Sequence, residues 1–202
     1  MFVSVGEVKE VISKVHDLFS VESSLVRVDS GGVVFVGDTH GDYDSSLLAS
    51  YLFPPSKYML IFLGDYVDRG LMQVENVFFL FRLKVRFPGR VFLLRGNHEV
   101  RSVNSRYGFM DALVGAFGEE GAVLWEEFNE VFTAMPYAAL VNGEVLAVHG
   151  GLARGLKSVD DFSRLRKEAE PSGDAFEVLW NDPSPEVEGF QPSPRGPGAY
   201  LY

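Results

Sequence analysis

Three short apolar runs, Val33 to Val36, Met59 to Leu63 and Val91 to Leu94, are each closed by a glycine-containing turn that carries a cluster of polar residues. The clusters read Gly37-Asp38-Thr39-His40-Gly41, Gly64-Asp65-Tyr66-Val67-Asp68-Arg69-Gly70 and Gly96-Asn97-His98-Glu99. Each run is too short for a helix and predicts a buried strand. Between them, Ser45 to Leu52 and Val74 to Val85 carry apolar residues at helical spacing. Strand alternating with helix is the pattern of a parallel sheet, so the expected fold class is α/β. In such sheets ligands bind outside the carboxyl ends of the strands, which brings the three clusters to one place. Their glycines allow the backbone to turn sharply and aim the polar side chains inward.

Asp38, His40, Asp65 and Asn97 offer oxygen and imidazole ligands, a set suited to manganese, iron or zinc. A lone Asp, His or Asn after a strand is usually a turn residue or a cap. Three such loops together point instead to a site, and two metal ions are the economical reading. Two carboxylates against two divalent ions leave a positive centre that attracts phosphate. If Asp65 bridges ions ~3.5–4 Å apart, a shared water becomes acidic enough to attack phosphorus in line, with no covalent enzyme intermediate. His149 ends a further predicted strand, just before Gly150-Gly151, and joins the same ligand group. Gly32 and Gly37 have the gap of a P-loop, but Asp38 and Thr39 stand where its Lys and Ser/Thr are required. The chain has no cysteine, which excludes a thiolate nucleophile and disulfides alike.

With 202 residues, 47% of them apolar, the chain is long enough for one domain, expected to span 1–202. Val5 to Phe19 repeats apolar residues at helical spacing and predicts an amphipathic helix, on which His16 is read as structural. A long, mainly helical stretch is expected from Tyr107 to about Thr133. Asn142-Gly143 between Pro136 to Val141 and Glu144 to Val148 predicts a two-residue hairpin. From Glu168 onward proline and glycine become frequent and the tail is expected to be loop. Arg82, Lys84, Arg86 and Arg90 near a helix end, and Glu119, Glu120, Glu126, Glu127 and Glu130, are read as solvated faces. A net charge of −10 argues against a nucleic-acid surface. No apolar run approaches the ~20 residues of a membrane span. Glu7, Lys9 and Glu10 interrupt any secretory apolar core, so a cytoplasmic location is expected. Missing cysteine and scarce Gln and Thr suggest a thermophilic source.

The GDxHG, GDxVDRG, GNHE and HGGL sequences, in this order and spacing, resemble those of PPP-type serine/threonine protein phosphatases. The resemblance continues through Tyr107-Gly108-Phe109, Leu179-Trp180-Asn181-Asp182-Pro183 and Ser193-Pro194-Arg195-Gly196. It implies a calcineurin-like metallophosphoesterase fold, with β-sheets flanked by helices and the two-metal site on loops at strand ends. It further implies that Asp38, His40 and Asp65 hold one metal and that Asp65, Asn97 and His149 hold the other, most readily manganese. By the same resemblance His98 protonates the leaving oxygen, Asp68 orients it, and Arg69 and Arg195 grip the phosphate. Partners would be phosphoprotein substrates and regulatory subunits. Members of the family carry a further histidine after the SPRG segment, whereas the histidines here are His16, His40, His98 and His149. The catalytic domain is therefore expected to be incomplete at its C-terminal side. Two other activities are kept beside this one: hydrolysis of dinucleoside polyphosphates, whose bacterial enzymes share the early motifs, and a silent phosphoprotein-binding domain.

Overall fold

The structure, a computed structural model, describes residues 3–202. In chain order the elements are α1 (Val5–Val21), β1 (Leu25–Val28), β2 (Val33–Val36), α2 (Tyr43–Leu52), β3 (Met59–Phe62), α3 (Gln73–Arg86) and β4 (Val91–Leu93). There follow α4 (Arg101–Asn104), α5 (Phe109–Phe117), α6 (Glu119–Ala134), β5 (Ala138–Val141) and β6 (Val145–Val148), then α7 (Gly173–Trp180), β7 (Gln191–Pro192) and β8 (Tyr200–Leu201).

The three apolar runs form one parallel sheet in the order β2-β3-β4, with Val33 beside Met59 and Leu60 beside Val91. A second sheet, β1-β5-β6, pairs β1 parallel to β5 and β5 antiparallel to β6. Side chains alternate across a strand, and this assigns each face a partner. Leu60 and Phe62 join the largest core cluster, with residues of α1, α3, α5 and α6. Ile61, from the opposite face of β3, packs instead with Val26, Val28, Ala139, Val141 and Ala147 of the second sheet. The outer face of that sheet, through Ala138 and Leu140, meets Ala175, Val178 and Leu179 of α7. The layers thus run helix, sheet, sheet, helix.

Local chemistry explains the element ends. Ser4 and Glu7 form a reciprocal capping box at the start of α1. Asn142 and Gly143 take φ values of 53° and 72°, the left-handed pair that a two-residue hairpin turn demands. Two readings of the sequence, the tail and Lys84, need correction, and two further details lay outside it. The mainly helical stretch after Tyr107 is helical as expected, divided at Gly118, whose φ of 62° and ψ of −136° a side chain would oppose, into α5 and α6. The tail is not all loop: Ala175, Val178 and Leu179 recur at helical spacing and bury one face of α7. Leu25–Val28, too short a run to stand out beside Arg27, is a strand because β5 lies next to it. Lys84 does not belong to a solvated face. It is fully buried, with its ammonium 2.5 Å from Glu22 and 4.9 Å from the centre of the Phe92 ring.

Candidate metal centre

The loops after β2, β3 and β4, together with His149 after β6, meet at one end of the two sheets. Asp65 sits in the middle and is buried. Its Oδ2 lies 3.3 Å from His40 Nε2 and its Oδ1 lies 3.4 Å from His149 Nε2. Asp38 Oδ2 is 4.0 Å from His40 Nε2, and Asn97 Oδ1 is 2.9 Å from His149 Nε2. Ligand atoms of Asp38, Asp65 and His149 lie within 4.8 Å of one another, as do those of His40, Asp65 and His98.

Which ring nitrogen faces the centre is set from outside it. His40 Nδ1 donates to the carbonyl of Val67 at 2.9 Å, and His149 Nδ1 donates to that of Leu63 at 2.9 Å. In the neutral imidazole this leaves each Nε2 with a bare lone pair pointing inward. The Asn97 carbonyl oxygen faces the same lone pairs. Turning the amide over would let its NH2 group donate to His149 Nε2 and to both oxygens of Asp65. That orientation suits an ion-free pocket, and the carbonyl orientation suits one that holds a cation. With the carbonyl orientation, carboxylate, carbonyl and imidazole lone pairs converge on one point, a donor set that fits divalent cations.

The loops hold this arrangement under strain. Four of the five non-glycine residues with positive φ among the described residues are here: His40 at 42°, Asp65 at 56°, Asp68 at 69° and Arg69 at 69°. Such conformations cost roughly 1–3 kcal/mol each and persist only where the surroundings over-determine them. Glu99 is the main clamp, a role that reading the sequence missed although the residue stands inside the third cluster. Fully buried, it accepts the backbone N–H groups of Asp65 at 2.7 Å, Tyr66 at 2.8 Å and Gly96 at 3.0 Å. Burial, and then the charge of Asp65, push its carboxyl up to about 8. Asn76, also buried, donates to the Tyr66 carbonyl and to Thr39, while Gln73 accepts the N–H of Asp68. Both stand on α3, within an apolar pattern that disguised them. Gly64 and Gly96 pack backbone to backbone; a Cβ on Gly64 would stand 2.5 Å from Gly96.

His98 and Asp68 are brought together as expected from the motifs. His98 Nδ1 lies 2.6 Å from Asp68 Oδ2, and Asp68 Oδ1 accepts the N–H of Phe109 at 3.0 Å. His98 Nε2 turns toward the centre, 3.0 Å from Arg69 Nη2 and 4.0 Å from Asp65 Oδ2. The Tyr107 ring stands 5.1 Å from that imidazole. Arg195 is placed differently: its Nε pairs with Asp182 Oδ2 at 2.7 Å, and among the described residues it makes no hydrogen bond or ion pair with the ligand cluster.

A sequence model described as calcineurin-like phosphoesterase matches residues 32–201. The chain is 42% identical over 183 residues to a serine/threonine-protein phosphatase of Caenorhabditis elegans, covering 89% of this chain and 40% of that protein. It is 38% identical over 200 residues to a protein phosphatase 2A catalytic subunit of Dictyostelium discoideum, covering 96% of this chain and 62% of that one. Among solved structures, a serine/threonine phosphatase of Saccharomyces cerevisiae superposes with a TM-score of 0.89 at 32% identity, over 99% of this chain and 64% of that one. A cold-active protein-tyrosine phosphatase of a Shewanella species, at 22% identity and a TM-score of 0.55 over 76% of this chain and 53% of that one, shares the fold. The chain thus spans about 40 to 62% of the length of these curated relatives. With the fold, the order of the motif loops and the match over 32–201 in agreement, the chain belongs to the calcineurin-like phosphoesterase family.

Proposed function

We propose that the chain is the catalytic part of a metal-dependent phosphatase that hydrolyses phosphoserine and phosphothreonine esters in proteins. The observation that carries this is the convergence of carboxylate, amide and imidazole ligand atoms on Asp65. Asp38, His40 and Asp65 would hold one divalent ion, and Asp65, Asn97 and His149 the other. The mixed donor set suits manganese, with iron or zinc as substitutes. When bound, the ions supply a positive centre that draws the phosphate and makes a water acidic enough to attack phosphorus.

The remaining tasks fall to side chains in place around that centre. His98 is locked through Nδ1 by Asp68; its Nε2, which accepts from Arg69 here, would have to take up a proton before passing it to the leaving serine or threonine oxygen. Arg69 presents its planar fork beside that nitrogen and grips a phosphate oxygen. Arg195 can take a second oxygen only after exchanging its Asp182 partner for substrate. The protein-phosphatase reading draws support from relatives named as serine/threonine phosphatases, and regulatory subunits are suggested by one named as a catalytic subunit. Rates on a phosphoserine peptide and on diadenosine tetraphosphate, measured with manganese present, test the substrate class. The peptide is expected to be the better substrate; a preference for the dinucleotide would overturn the reading.

A further inference from the structure

A cleft of about 780 Å³ lies between α1, α3 and α5, separate from the ligand cluster. Its floor is apolar, built from Val11, Phe78, Phe79, Val85 and Phe117. Tyr43 and Met72 also line it. Tyr43 stands three residues beyond His40, and Met72 stands three residues beyond Arg69. Three residues reach at most about 11 Å, so the loops that carry the ligands run directly into the cleft wall. Tyr43 meets the floor itself, its ring packing edge-on against Phe79 at 5.4 Å. Between Arg69 and Met72, Leu71 is 100% exposed, an apolar side chain with nothing upon it beside the residue assigned to grip phosphate.

The rim has a sign opposite to that of the whole chain. Lys14, Arg82 and Arg86 line the cleft against Glu75, in a protein of net charge −10. Glu10 engages Lys14 at 2.5 Å and Glu7 lies close enough to Arg82 to feel its charge, whereas Arg86 makes no ion pair among the described residues. An apolar cleft whose lining carries three basic residues against one acidic complements an apolar segment flanked by acidic residues.

We propose that this cleft docks a segment of the phosphoprotein substrate, an apolar residue with acidic neighbours, about four residues from the phosphorylated side chain. The inference rests on the phosphoprotein reading and adds to it a preference for substrate sequence. An extended peptide crosses ~11 Å in three to four residues, so the phosphate can sit at Arg69 while the apolar side chain enters at Met72.

The test uses the manganese-loaded chain and three phosphoserine peptides. One carries no apolar residue; the others carry a phenylalanine and two acidic residues about four positions before or after the phosphoserine. One armed peptide is expected to show a KM at least about tenfold lower than the unarmed one, as burial of a large apolar side chain predicts. Phe79→Ser should remove that gain. So should the surface double variant Arg82→Glu with Arg86→Glu, which leaves the core untouched. Neither should change kcat/KM for the unarmed peptide. Equal KM values for all three peptides would overturn the docking site and leave the phosphatase reading standing. Turnover of p-nitrophenyl phosphate with none of the peptides would overturn the substrate reading, and the docking site with it. Fluorescence anisotropy of the labelled peptides reads binding without requiring turnover, and equal affinities there also sink the proposal.

Discussion

Glu99 uses two oxygens to hold three backbone donors from two different loops. Glu99→Gln can keep an oxygen on Asp65 and Gly96 only by turning its NH2 group against the N–H of Tyr66, so the clamp on the loops of Asp65 and Asn97 weakens. Metal affinity is expected to fall about 10–100-fold, as for other groups that orient ligands from behind, and calorimetric titration of manganese checks it. An unchanged affinity would show that the strained loops hold themselves. Gly96→Ala tests the same packing by bulk, because a Cβ there meets the backbone N and Oδ1 of Asp65. Metal binding is expected to be lost while far-ultraviolet circular dichroism stays native-like. Away from the centre, Lys84→Met should destabilise the fold by about 3–5 kcal/mol in urea unfolding, since it strands Glu22 without its partner. Adding Glu22→Leu should recover most of that loss; no recovery would mean that the ammonium matters for its contacts with Pro88 and Phe92 instead.

At the scale of elements, α1 is tied at its C-terminal end by a residue far away in sequence. Lys167 donates to the carbonyls of Phe19 at 2.9 Å and Glu22 at 2.7 Å. Burial pushes its ammonium down to about 8 from the usual 10.5. Below about 8 the lysine is charged in both the folded and unfolded chains, and the full penalty of burying it stands. Between about 8 and 10.5 the folded chain sheds the proton that the unfolded chain keeps, so this residue makes stability rise with pH across that window. Lys167→Met should flatten the rise in urea unfolding followed from pH 7 to 10. The elements that sequence alone makes legible are those whose burial is written in local periodicity: α1, the runs of β2, β3 and β4, and the Asn142-Gly143 hairpin. β1 and α7 were hidden because their partners are distant: β5 lies more than a hundred residues from β1, and α7 is covered by the face of the second sheet. Lys84 was misread for the same reason, as its counter-ion comes from the far end of α1.

Over the whole molecule, the residues of the candidate site were more legible than the residues that support them. Asp38, His40, Asp65, Asn97, His98 and His149 follow strand ends in the sequence, and the parallel order β2-β3-β4 brings those ends together. Glu99, Asn76 and Gln73 act through backbone hydrogen bonds, which leave no trace in composition or spacing. The salt link of Arg195 to Asp182 depends on how the chain folds back through β7 and β8, again invisible to local pattern. Helix, sheet, sheet, helix thus becomes a frame that aims four loops at Asp65, and the central claim is that this convergence hydrolyses phosphoesters through bound metal. Inorganic phosphate released from a phosphoserine peptide tests it most directly, with the wild-type chain and Asp65→Asn compared with manganese and with chelator. The account predicts release by the wild type that requires manganese and falls at least about a thousandfold in Asp65→Asn, the loss of a ligand shared by both ions. Equal release after chelation, or from Asp65→Asn, would contradict it.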